Sequence, residues 1–100
     1  MPAVSREGDA LTTGHECVDE TTIDTSNTDG TVKANGINII VVGAETVAHP
    51  FPPTPSCADH TAALNAGSST VSINGIAVGR VGDSADGGAM TGGSGNVSVG

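Results

Sequence analysis

The sequence predicts an all-β domain assembled from three short hairpin units. That expectation rests on a segment repeated at a fixed offset, on Asn-Gly dipeptides flanked by β-branched residues, and on the lack of sustained helical periodicity. One hundred residues make one small domain, so residues 1–100 are read as a single unit.

The repeat fixes the order of elements. Val32-Lys33-Ala34-Asn35-Gly36-Ile37 recurs as Val71-Ser72-Ile73-Asn74-Gly75-Ile76, an offset of 39, and the match continues to Val42-Gly43 against Val81-Gly82. A third, shortened copy closes the chain, with Gly67-Ser68-Ser69-Thr70-Val71-Ser72-Ile73 matching Gly93-Ser94-Gly95-Asn96-Val97-Ser98-Val99. Near the start, Arg6-x-Gly8-Asp9 mirrors Arg80-x-Gly82-Asp83, and Gly14 mirrors Gly88. The last unit is therefore split between the two termini. The repeat fits an ordinary small β-meander or, on the sharper reading, a pseudo-threefold body; the sequence shows three units and not their arrangement in space. Asn-Gly suits a type I′ turn, which needs positive φ at both central positions. Val32 to Ala34 and Ile37 to Val42 are expected to flank the first turn, and Val71 to Ile73 and Ile76 to Val81 the second. Pro50-Phe51-Pro52-Pro53-Thr54-Pro55 lacks four backbone donors and reads as a stiff loop.

Composition narrows the function. Phe51 is the only aromatic residue among Phe, Tyr and Trp, so the chain lacks the large rings that usually dominate small cores. A metal, a disulfide or a partner subunit is needed to compensate. The net charge is −8, with only Arg6, Lys33 and Arg80 positive, which argues against nucleic-acid binding and against attraction to anionic lipid. The longest apolar run, Ile37 to Val42, is interrupted by Asn38 and falls far short of a membrane span. No basic segment followed by an apolar stretch opens the chain, so no signal peptide is expected. Glu16, Asp19, Glu20, Asp24 and Asp29 lack the spacing of a calcium loop and read as a solvated acidic face. Asp9 and Asp83 recur at matching positions and are expected to cap turns.

The chain has three histidines and two cysteines: His15, Cys17, His49, Cys57 and His60. Taken singly, each histidine reads as a surface or turn residue. Together with a cysteine they form the donor set of a closed tetrahedral zinc site. A disulfide would leave the adjacent histidines unexplained, so zinc is placed ahead of a disulfide, and a disulfide ahead of idle thiols. Cys57 and His60 have a turn-sized chelating spacing. His15 and Cys17 lie two apart on one strand face, where tetrahedral geometry is harder to reach. The expected ligands are His15, His49, Cys57 and His60, with Cys17 buried nearby as the fallback. Four protein donors leave no position for a reactive water, and no nucleophile triad or phosphate loop is present, so no catalysis is expected.

Gly67 to Asp83, with Val71-x-x-Asn74-Gly75 and Gly82-Asp83, resembles the repeat of the PAAR family, the spike tips of contractile injection machines. The resemblance runs over nearly the whole chain. Thr13-Gly14-His15-x-Cys17, Val47-Ala48-His49 and Ser56-Cys57-x-x-His60 are most similar to phage-type members. Two departures stand out: Gly43-Ala44 replaces Gly-Asp, and Asp83 to Met90 lacks the cysteine many secretion-type members carry. The resemblance implies a three-faced cone with structural zinc near its vertex. It also implies one copy docked on a trimeric β-helical spike, transient contact with a target membrane, and no small-molecule substrate. A tip that sharpens the central spike and helps pierce a cell envelope is the implied function; the alternative is a zinc-binding adaptor recruiting effectors or cargo. The implied location is the virion or another injection-machine tip, after synthesis in the bacterial cytoplasm. Ile37, Ile39, Val41, Ile73 and Ile76 cannot all be hidden, and part of that surface is expected to form the base.

Overall fold

The computed structural model describes residues 1–100 as an all-β molecule without helices, measuring 40 × 24 × 21 Å along its principal axes. The strands are β1 (Ala10–Thr12), β2 (Glu20–Thr25), β3 (Lys33–Ala34), β4 (Ile37–Asn38), β5 (Glu45–Thr46) and β6 (His49–Pro50). They continue with β7 (Asp59–His60), β8 (Ser72–Ile73), β9 (Ile76–Ala77), β10 (Ser84–Ala85) and β11 (Gly88–Ala89). All pairings are antiparallel: β1-β2-β5 form a three-stranded sheet, and β3-β4, β6-β7, β8-β9 and β10-β11 form separate pairs.

The two Asn-Gly turns form as expected. Asn35 and Gly36 have φ of 56° and 77°, and Asn74 and Gly75 have φ of 52° and 82°, so both central residues of each turn are left-handed. A third turn of the same kind joins β10 to β11 at Asp86-Gly87, with φ of 54° and 78°. The hairpin arms are shorter than expected, because beyond Asn38 and Ala77 the backbone pairs mainly with other segments. Ser5 N donates to Gly79 O (3.0 Å), Gly79 N to Ile40 O (2.9 Å) and Ile40 N to Ser5 O (3.2 Å), closing a ring. Two residues further on, Glu7 N donates to Asn38 O (3.0 Å), Val42 N to Ala77 O (2.9 Å) and Val81 N to Ala3 O (2.9 Å). Each of three distant segments thus bonds to both of the others, which satisfies backbone groups that short strands leave unpaired.

The termini form the third pair. Val4 N donates to Val97 O, as Ile39 N does to Val32 O and Val78 N to Val71 O, and Ala3 bridges Ser98.

Two apolar layers lie around this ring. Leu11, Ile23, Ile40, Ala44, Leu64, Ala85 and Met90 form one cluster. Val4, Ala34, Ile39, Val41 and Val78 form the other, with Val71, Ile73, Val97 and Val99 packed against it. Ile39 and Val41 are therefore buried, whereas Ile37 and Ile76 remain exposed beside their turns.

Asp9 and Asp83 cap turns. Asp9 Oδ2 accepts from Arg6 N (2.7 Å) and Nε (3.1 Å), and Asp83 Oδ2 from Arg80 N (2.8 Å) and Nε (3.0 Å). In the middle unit Val41 and Ala44 occupy these two positions, both fully buried. Charge and counter-charge are absent together, which spares the site an unpaired buried ion.

β2 was not foreseen among the acidic residues. Its Thr21 and Ile23 point inward, while Glu20 and Asp24 face solvent at the alternate positions. Glu16, Asp19 and Asp29 are also exposed, in keeping with a solvated acidic surface.

Candidate metal centre

The three histidines reach one point from separate parts of the chain. His15 follows β1 on the loop leading toward β2, and Gly14 ties that loop to the β10-β11 turn. Gly14 N donates to Asp86 O at 2.9 Å, and a Cβ on Gly14 would stand 2.1 Å from the Gly87 carbonyl oxygen. Only glycine permits so close a backbone approach. His49 and His60 face each other directly across β6-β7, with the proline-rich loop between them. Phe51 N donates to Ala58 O and Cys57 N to Pro53 O, which close that loop on itself.

Asp86 completes the cluster. It is the first residue of the Asp86-Gly87 turn and has a nearly buried side chain. Its Oδ2 lies 2.7 Å from both His15 Nε2 and His49 Nε2, and its Oδ1 lies 3.2 Å from His60 Nε2. His49 Nε2 is 3.3 Å from His15 Nε2 and 2.9 Å from His60 Nε2. One donor atom from each of the four residues falls within 4.8 Å of the others. Donors around a tetrahedral zinc with bonds of about 2.0 Å stand about 3.3 Å apart, and the separations quoted above, 2.7 to 3.3 Å, are near that size.

Tautomers strengthen this fit. His15 Nδ1 lies 2.8 Å from Glu16 O, and His49 Nδ1 lies 3.0 Å from Val47 O. A carbonyl oxygen only accepts, so both Nδ1 atoms carry protons and donate. In the neutral rings the lone pairs are then on Nε2, aimed at Asp86 and at each other. Lone pairs facing a carboxylate repel unless a proton or a metal cation stands between them. A backbone-held Nδ1–H is also the outer contact that orients a metal-binding imidazole. His15, His49, His60 and Asp86 could hold a metal ion.

The histidine environments differ. The hydrogen bond to the Glu16 carbonyl raises the His15 pKa above its ordinary value, with burial opposing and Asp86 reinforcing the shift. Burial lowers that of His60, against the pull of Asp86 and with help from the neighbouring His49 and His15. Phe51 stacks on His60 with centroids 3.9 Å apart and meets His15 edge-on at 4.7 Å. The sole Phe in the chain therefore covers two of the candidate ligands.

The expected cysteine ligand is not in this cluster. Cys57 is joined to Cys17 in a disulfide, with Cα atoms 5.9 Å apart and a sequence separation of 40. That distance is typical of a bridge, which consumes both thiols and leaves no thiolate for a metal. Contrary to the expectation of zinc ligation in place of a disulfide, the protein has the disulfide beside the cluster of candidate metal donors, and Asp86 stands where Cys57 was expected. No protein-family model matches the chain. No curated protein matches it either. Asp86 was missed in the sequence; the Asp86-Gly87 dipeptide, a type I′ turn pair, is the one signal that could have marked it, and its flanks Ser84-Ala85 and Gly88-Ala89 carry no β-branched residue to strengthen it.

Proposed function

We propose that this chain is a structural, metal-stapled tip of the PAAR kind, capping the trimeric β-helical spike of a contractile injection machine. The observation that carries the proposal is the convergence of His15, His49, His60 and Asp86 from three distant segments onto one point. Zinc fits the donor set of three imidazoles and a carboxylate. Bound there, it would lock β1, β6-β7 and β10-β11 together and supply rigidity. Four protein donors around it favour a structural role over a catalytic one.

The backbone ring at Ser5, Ile40 and Gly79 supports a pseudo-threefold, three-faced cone, because a body with three equivalent sides matches a trimeric partner. Ile37 and Ile76, at equivalent repeat positions beside the Asn-Gly turns, offer exposed apolar side chains for such a base. In the β3-β4 and β8-β9 pairs, β3 and β8 have a strand partner on one side only, an edge of the kind that adds onto another sheet. None of the four candidate metal donors comes from these hairpins, so docking and stapling use different parts of the chain. In this reading one copy sits on each trimer, in a virion or secretion-type particle, and meets the target membrane only at penetration.

Co-expression with a trimeric β-helical spike protein tests the proposal. Light scattering on the purified complex should give one chain per trimer, and I37E/I76E should abolish the complex while leaving metal content unchanged. A wild-type chain that binds no such trimer, or binds three copies to one, would contradict it.

A further inference from the structure

We propose that the Cys17–Cys57 disulfide is a positioning device for the metal ligands, so that disulfide and metal strengthen each other by the same factor. The inference rests on the metal-centre reading above. Cys17 lies two residues after His15, and Cys57 three residues before His60. The disulfide and the candidate metal therefore cross-link the same two loops, only a few residues apart.

Little else joins those loops. Thr13 N donates to Asp19 O within the first, and Phe51 N to Ala58 O within the second. The histidine contacts, the edge of Phe51 against His15, and the disulfide are the links between them. Both cysteines have left-handed backbones, with φ of 85° at Cys17 and 43° at Cys57. Non-glycine residues keep such conformations only where their surroundings hold them. The bridge provides that hold and joins the two sulfur atoms to each other.

The coupling has a definite size and sign. Closing the disulfide first shortens the loop that a metal bridging His15 and His60 must close from 45 residues to about five, about three halvings of length. For a free chain that is about a twentyfold gain. The β-scaffold already restrains both loops, so about tenfold is expected here. Reciprocity requires metal binding to protect the disulfide by the same factor, and tenfold on a two-electron couple is about 30 mV. In the redox step a dithiol reductant gives two electrons and two protons to the bridge. Cys17 and Cys57 become thiols, and the reductant leaves as its own disulfide.

Two measurements on the full chain test this. The first compares zinc affinity, by chelator competition, between the oxidised wild type and C17S/C57S. The second titrates the wild-type disulfide against a dithiol redox buffer with and without zinc, and needs no variant to fold. The expected results are about tenfold weaker zinc binding in the variant and a potential about 30 mV more negative with zinc present. Equal affinities together with a zinc-independent potential overturn the coupling and leave the metal site standing. A disulfide that zinc makes easier to reduce also overturns it, since the freed thiolates would then be acting as ligands. Failure of the oxidised wild type to bind zinc overturns the metal site itself, and the coupling with it.

Discussion

Asp86→Asn removes a single negative charge from the cluster while keeping nearly the same shape. Asp86 has a φ of 54° in the turn, and Asn tolerates that left-handed conformation well, so the β10-β11 hairpin should persist. The Gly14 N to Asp86 O bond is a backbone interaction and survives. What is lost is the carboxylate that lies 2.7 Å from His15 and His49 and 3.2 Å from His60. Structural zinc contributes about 10–16 kcal/mol through four ligands in small peptides, so one donor of four accounts for about 3 kcal/mol. That corresponds to about a hundredfold weaker binding. In a domain of this size each kcal/mol moves the melting temperature by about 4–8 °C, so the gap between zinc-loaded and chelator-treated protein should narrow by at least about 10 °C. Competition against a chromophoric chelator reads the affinity, and thermal scans with and without chelator read the stability. A D86N protein with wild-type zinc affinity would refute the assignment of Asp86 as a ligand. So would a chelator-treated D86N protein that melts far below the chelator-treated wild type, since the residue's role would then lie in folding.

Acidity should separate the two forms of the protein. The raised pKa of His15 gives stability that is complete below its ordinary value of 6.5 and is lost as pH rises through the higher folded value. The lowered pKa of His60 gives stability present above 6.5 and lost as pH falls toward the lower folded value. The two windows lie on opposite sides of 6.5, so between about pH 5 and 8 metal-free stability should be greatest near that value and fall to either side, whereas zinc needs neutral imidazoles and zinc-loaded stability should climb with pH. Thermal scans across that range check both slopes. Gly14→Ala places a Cβ 2.1 Å from the Gly87 carbonyl oxygen and must separate His15 from Asp86; zinc content after purification should fall well below that of wild type. Leu11→Ala opens a cavity in a fully buried layer and should cost about 2–5 kcal/mol in urea denaturation, with zinc stoichiometry preserved in the folded fraction.

Much of the fold is legible in the sequence because its determinants are local or repeated. Asn35-Gly36 and Asn74-Gly75 specify their own turns, and the third repeat copy announces that residues near Ala3 and Ser98 will pair. The pairing of β2 with β1 and β5 is not announced. Its Thr-rich sequence carries only two inward positions, and its register shifts between Ile23 and Thr25. His15, His49 and His60 stand out because the chain has no other histidines. Asp86 does not stand out, being one of eleven acidic residues; only its place in an Asp-Gly turn marks it. Cys57 was misassigned because its short spacing to His60 suggests a local chelate. The fold instead brings it against Cys17, 40 residues away, a long-range contact that spacing alone does not encode.

X-ray absorption at the zinc edge, on protein purified without chelator, tests the metal staple most directly. One equivalent of zinc with only nitrogen and oxygen neighbours is the predicted result. A sulfur neighbour at about 2.3 Å, or folded protein that carries no metal and takes none up, would contradict it.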